Sequence, residues 1–130
     1  MSELGPDPIS KMVIGAAIEV HKSLGPGLLG SAYESCLFYE LSHKGLNVKC
    51  QQPLPLTYKQ VKLDCGYRVD LLVENCVVVE LKAVEQVEPI YEAQLLSYLK
   101  LSGCSVGLLL NFNCTRMVDA ITRRVFNHPS

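Results

Sequence analysis

Two short apolar runs carry charges in places where charges are costly. Tyr67-Arg68-Val69-Asp70-Leu71-Leu72-Val73 and Val77-Val78-Val79-Glu80-Leu81-Lys82 are separated only by Glu74-Asn75-Cys76, and so read as a β-hairpin. Runs this rich in Val and Leu belong in a sheet covered on both faces, where a carboxylate or ammonium needs a partner or a metal. If Val73 pairs with Val77, Asp70 lies opposite Glu80, and Lys82 follows two residues on along the same face. A two-residue turn at Glu74-Asn75 would instead pair Asp70 with Val79 and send Glu80 to the other face. In the first register two carboxylates and an ammonium converge. That is the donor set for a divalent cation with a lysine beside it, which is equipment for hydrolysing a phosphodiester.

The rest of the chain must hold that hairpin. Asp7-Pro8 reads as a helix cap with proline at the first helical position, and Ile9, Met12, Val13, Ala16, Ala17, Val20 and Leu24 keep a helical rhythm as far as Gly25-Pro26-Gly27. A second helix carries Leu29, Ala32, Tyr33, Cys36, Leu37 and Leu41 on its inner stripe and ends at Gly45. Val48 to Tyr58 reads as one extended edge segment, since Pro53 and Pro55 cannot donate to a central ladder. After the hairpin come a helix opened by Pro89 and closed by Gly103, a strand over Val106–Phe112, and a last helical pattern at Met117, Val118, Ile121 and Val125. The order helix-helix-strand-strand-strand-helix-strand-helix predicts one α/β domain over residues 1–130. Its mixed four-stranded sheet would be flanked by helices, with a parallel pair joined by the third helix.

Composition narrows the classes. Hydrophobic content of 48% and charged content of 19% fit a folded globular chain. The formal net charge of −1 leaves no global basic footprint, so nucleic acid would have to meet local clusters such as Lys59, Lys62 and Arg68, or Arg116, Arg123 and Arg124. No run reaches the roughly 20 apolar residues of a membrane span. Met1 to Pro8 lacks a signal-peptide pattern. The six cysteines form no CxxC and read as reduced core thiols of a cytoplasmic protein. His21, His43 and His128 read as surface residues, and Gly25-Pro26-Gly27 lacks the Lys-Ser/Thr of a phosphate loop.

Asp70 followed by Glu80-x-Lys82 on the next strand, within this element order, resembles the PD-(D/E)xK nuclease superfamily. Further segments resemble its GxxExxY branch along nearly the whole chain: Leu24–Leu29, Tyr33-Glu34, Gln52–Pro55, Gly66–Val73, Val79–Val84, Glu92–Leu99 and Leu109–Phe112. One position departs: Gly27 and Tyr33 are present, but Gly30 stands where that motif has Glu. The resemblance implies a restriction-endonuclease-like core and a Mg²⁺- or Mn²⁺-dependent nuclease acting on DNA, with RNA as the other candidate and a homo-oligomer left open.

It also assigns roles. Asp70, Glu80 and the backbone carbonyl of Leu81 would hold the metal, and Lys82 would orient or deprotonate the attacking water or stabilise charge on the phosphate. Glu34 would be a third ligand, although Ser31-x-x-Glu34 also reads as a capping box. Gln94 and Tyr98, one helical turn apart, resemble the supporting QxxxY element of RecB-like members, against a plain buried Tyr–amide bond. Arg68 would either contact phosphate or neutralise the acids. The rival readings are a catalytically inactive binding or assembly module, and a hydrolase of a small phosphorylated molecule with a closed pocket.

Overall fold

The computed structural model describes residues 4–128, so Met1 to Glu3 of the leader reading lie outside it. Two helices lead: α1 (Pro6–Leu24) and α2 (Gly30–His43). They are followed by β1 (Val48–Pro53), β2 (Leu56–Tyr58), β3 (Val61–Leu63), β4 (Arg68–Val73) and β5 (Val77–Lys82). Then come α3 (Pro89–Ser102), β6 (Val106–Asn111), a 3₁₀ turn at Met117–Asp119 and β7 (Ile121–Val125).

The main sheet runs β1-β4-β5-β6-β7, antiparallel except for the parallel pair β5–β6. Pro53 explains why β1 takes an edge. β5 and β6 lie in the interior, and this is why they read as largely apolar runs. Helices α1 and α2 cover one face through Val13, Ala17, Tyr33 and Leu37, packed with Leu71, Val79 and Leu108. Helix α3 covers the other through Leu95 and Leu99, packed with Val78 and Leu109. α3 sits so close that a Cβ on Gly107 would meet Leu95 Cδ1 at 2.8 Å, so any larger residue in β6 there would force the Leu95 and Leu99 side chains to shift.

Several expectations are corrected. The fourth helix is instead the 3₁₀ turn followed by β7, so the sheet has five strands rather than four. Ile121, Thr122 and Val125 suit a strand, and β6 offers an open edge with which they pair; the helical spacing there leaves Val118 54% exposed. The Val48–Tyr58 segment breaks after Pro53, and β2 and β3 form a separate small hairpin turning at Lys59 and Gln60, both at positive φ. Helix α1 starts at Pro6 with Gly5 before it, which leaves Asp7 in the first turn to pair with Arg123. His21 is buried, its Nε2 2.9 Å from the carbonyl oxygen of Cys114.

The cysteines are free thiols, but Cys50 and Cys65 are exposed rather than part of the core. Among the described residues, no helix is long and apolar enough to cross a membrane.

Candidate active site

The β4–β5 turn decides whether the acids meet. Glu74 and Asn75 both take φ of 53°, and the Cys76 N–H donates to the Val73 carbonyl at 3.0 Å. Val73 then pairs with Val77, Leu72 with Val78 and Leu71 with Val79, which is the register that keeps Asp70 beside Glu80. The ladder stops one pair short of them. Asp70 N–H donates to Glu80 Oε2 at 2.8 Å, and Leu81 N–H donates to Asp70 Oδ2 at 2.9 Å. Each carboxylate thus takes the place of a backbone acceptor from the opposite strand. β4 also changes face here: Leu71 and Val73 pack under α1 and α2, whereas Val69 packs with Leu95 and Tyr98.

Glu80 is buried, and its carboxyl is pushed up to about 8, by burial first and then by the charge of Asp70. Its backbone hydrogen bond from Asp70 and the Lys82 charge pull the other way without cancelling those effects. Among the described residues Lys82 makes no salt bridge; its Nζ stands 4.5 Å from the Tyr91 ring centroid. A closed structural ion-pair cluster is therefore not what these residues form. The backbone at Lys82 is held by Phe112, whose N–H donates to its carbonyl at 2.8 Å. Buried Asn111 exchanges two hydrogen bonds with the backbone of Val84 just beyond, at 3.1 and 2.9 Å.

Glu34 reaches the same neighbourhood from α2. The helix is capped at Leu29 with no side-chain cap bond, so the capping-box reading of Ser31 and Glu34 fails. Glu34 Oε1 instead accepts from Gln51 Nε2 at 2.8 Å, and Oε2 from Cys50 Sγ at 3.1 Å. The same Gln51 amide donates to Asp70 Oδ1 at 3.2 Å, bridging the two acids. Gln51 sits at φ 52°, an uncommon conformation for a residue with a side chain, at the break between the Cys50–Leu71 and Gln52–Val69 pairs. Burial and the Glu34 hydrogen bond push the Cys50 thiol up to about 11. Sequence reasoning missed Gln51 and Cys50. The one available signal, a polar pair on an edge strand, says nothing about which acid they face.

Among the described residues, no three His, Cys, Asp or Glu side chains are gathered as a ready metal cluster. The donors that do adjoin are carboxylate oxygens, and Cys50 is held as a thiol, so this set suits a hard cation such as Mg²⁺ or Mn²⁺. A carboxyl raised by burial and then by a neighbouring carboxylate is the arrangement that a cation would relieve.

The remaining candidates fall around this centre. Gln94 Nε2 donates to Tyr98 Oη at 2.8 Å; burial raises the Tyr98 hydroxyl, with Glu80 next among the causes. Arg68, at the start of β4, is exposed and ion-pairs with no acid among the described residues. The second basic cluster is neutralised by Arg116–Asp119, Arg123–Asp7 and Arg124–Glu92. Gly27 at φ 100° and Tyr33 form a structural pair. The Tyr33 hydroxyl donates to the Gly25 carbonyl at 2.6 Å and accepts from Leu28 N–H at 3.2 Å, while its ring stacks on Phe112. Gly30 opens α2 one turn before Glu34.

Residues 7–125 match the PD-(D/E)XK nuclease superfamily, a span that takes in every candidate site residue. No curated protein and no solved structure matches the chain. The three helices and the five-stranded mixed sheet are consistent with a restriction-endonuclease-like fold. With that span matched and the Asp70, Glu80 and Lys82 arrangement in place, the chain belongs to the PD-(D/E)XK nuclease superfamily.

Proposed function

We propose that this protein is a Mg²⁺- or Mn²⁺-dependent nuclease that hydrolyses phosphodiester bonds of DNA, with RNA as the alternative substrate. The observation that carries the reading is the interlocked pair Asp70 and Glu80 beside a lysine that, among the described residues, makes a salt bridge with neither. Asp70, Glu80 and the Leu81 carbonyl would hold the cation, which when bound supplies charge stabilisation at the phosphate and a more acidic attacking water. Glu80 would give up its proton on loading, so cation uptake strengthens as pH rises towards about 8. Glu34 would join as third ligand once the Gln51 amide swings aside. Lys82 would orient the water or stabilise the phosphate charge, Gln94 and Tyr98 would position that region, and Arg68 would contact a flanking phosphate.

Gly27 and Tyr33 support placement in the GxxExxY branch, and the free cysteines go with a cytoplasmic setting. Incubating the pure protein with single- and double-stranded DNA and RNA, with Mg²⁺ or Mn²⁺, tests the activity. Cleavage that disappears in Lys82→Ala and Asp70→Asn supports it.

Two observations favour a second reading, a binding or assembly module without catalysis: Gly30 in place of Glu, and the lack of a ready three-ligand cluster among the described residues. Calorimetry with Mn²⁺ decides between them. Binding lost in Asp70→Asn supports the nuclease, and no binding by the unmodified protein supports the module.

A further inference from the structure

Next to the acids, along α3, lies a groove of about 560 Å³, within the roughly 300–1,000 Å³ of small-ligand sites. Its lining is aromatic and aliphatic: Leu56, Tyr67, Ile90, Tyr91, Tyr98 and Leu101. Tyr67 is 43% exposed and Ile90 67% exposed, so the groove leaves apolar surface open to water. Tyr67 meets Tyr98 at a steep angle, centroids 6.2 Å apart and planes at 61°, and stacks face to face on no other ring among the described residues.

The groove adjoins the acid cluster through residues of α3. Tyr91 carries the Lys82 ammonium over its ring, and Tyr98 is bonded to Gln94 and senses the Glu80 and Asp70 charges. Lys100 adds a cation to the lining, and β2, which supplies Leu56, runs into a hairpin bearing Lys59 and Lys62. A duplex offers phosphates outside and hides its base faces in the stack. This chain, at net charge −1 with one arginine cluster neutralised by ion pairs, has little with which to track a duplex backbone. Aromatic rings beside a phosphate-cutting centre instead suit bases that are already unstacked, because every base has a π-face.

We propose that this groove holds an unpaired nucleobase next to the phosphate being cut, so that the substrate is single-stranded nucleic acid or an unpaired end. The location of the cut rests on the nuclease reading; base binding in the groove does not.

The test is fluorescence anisotropy with short labelled strands, Ca²⁺ replacing Mg²⁺. The probes are single-stranded DNA, single-stranded RNA, a blunt duplex of equal length, and the single strand with one abasic position moved along it. Single strands should bind at least about tenfold tighter than the duplex, and one abasic position should weaken binding. Tyr67→Ala should cost roughly five- to hundredfold, the range of losing one base–aromatic stack, while Tyr67→Phe keeps the affinity. On the strand with the sensitive position made abasic, Tyr67→Ala should have little further effect; damage to the fold would lower both equally. Equal losses on both strands, or a duplex bound as tightly as a single strand, overturn the proposal. Stacking-dependent binding without Mg²⁺- or Mn²⁺-dependent cleavage leaves the base site standing and overturns the nuclease reading. Cleavage with a duplex preference does the reverse.

Discussion

The two ends of the β4–β5 hairpin are built from the same kinds of strand yet are held together differently. At the turn end, three successive pairs from Val73–Val77 to Leu71–Val79 keep a regular ladder, and Leu71, Val73, Val77, Val78 and Val79 are all buried. At the open end the ladder gives way to Asp70 and Glu80, whose side chains accept the backbone N–H groups at 2.8 and 2.9 Å. The first end is held by packing and backbone hydrogen bonds, which leave no group over for chemistry. The second replaces backbone acceptors with carboxylates, which satisfies the strands and keeps further carboxylate oxygens at the site. A sheet can therefore carry acids in a largely apolar interior if they take over part of its own hydrogen bonding.

Substitutions at the two ends should separate function from stability. The largest expected effect is on cleavage: Asp70→Asn and Lys82→Ala should each lower turnover by at least about hundredfold. Lys82→Ala should keep metal affinity and fold, while Asp70→Asn should lose metal binding as well. Unchanged turnover in either would assign the hydrolysis to another site.

At the turn end, Leu71→Ala should cost about 2–5 kcal/mol in urea unfolding, the usual price of deleting a fully buried leucine. The fraction that stays folded should cleave at close to the normal rate. A rate loss exceeding the folded-fraction loss would mean that the two ends are coupled.

Glu80 sharpens the comparison through pH. Its folded carboxyl is raised from the ordinary carboxylate value to about 8, so between those values the folded metal-free protein holds a proton that the unfolded chain has lost. Stability from this group is therefore full below about pH 4.5 and declines as pH rises to about 8, by a few kcal/mol. Chemical unfolding of the metal-free protein against Glu80→Gln should show the variant gaining on the parent over that window. A constant difference across the window would contradict the assignment.

The smallest pair of effects concerns α2. Glu34→Gln should lower cleavage about tenfold, as expected for losing a supporting group around a metal. Gly30→Glu should change cleavage little and raise stability by up to about 1 kcal/mol, since glycine gives way to a better helix former in the first turn. The position has room, with nothing within 4 Å of a Cβ added at Gly30. A sharp rise in Mg²⁺-dependent cleavage by Gly30→Glu would identify position 30 as a missing ligand. Parallel rates on the two variants decide it.

Much of the arrangement was legible in the residues. The three-residue loop Glu74-Asn75-Cys76 allowed one register that brings Asp70 and Glu80 together, because strand side chains alternate and a one-residue slip reverses every face. Pro89 and Gly103 bracketed α3, and Pro53 marked the edge strand, since proline and left-handed glycine act locally. Other features were not legible. Met117 to Val125 has helical spacing, but the open edge of β6 decides its conformation. Glu34 sat in a valid capping-box pattern, yet its partners Cys50 and Gln51 are 16 and 17 residues away along the chain.

The sequence by itself determined what depends on neighbours along the chain: the helix stops and a hairpin spacing with one register in which two acids and a lysine share a face. Only the tertiary structure decided what depends on segments meeting from afar. Gln51 bridges Glu34 to Asp70, Lys82 lies over Tyr91, and Tyr67 just before β4 meets Tyr91 and Tyr98 of α3 in a groove beside the acids. Local patterns are written into φ/ψ preferences and side-chain period. The partner of a polar group is set by which surfaces pack together, and no spacing along the chain encodes that.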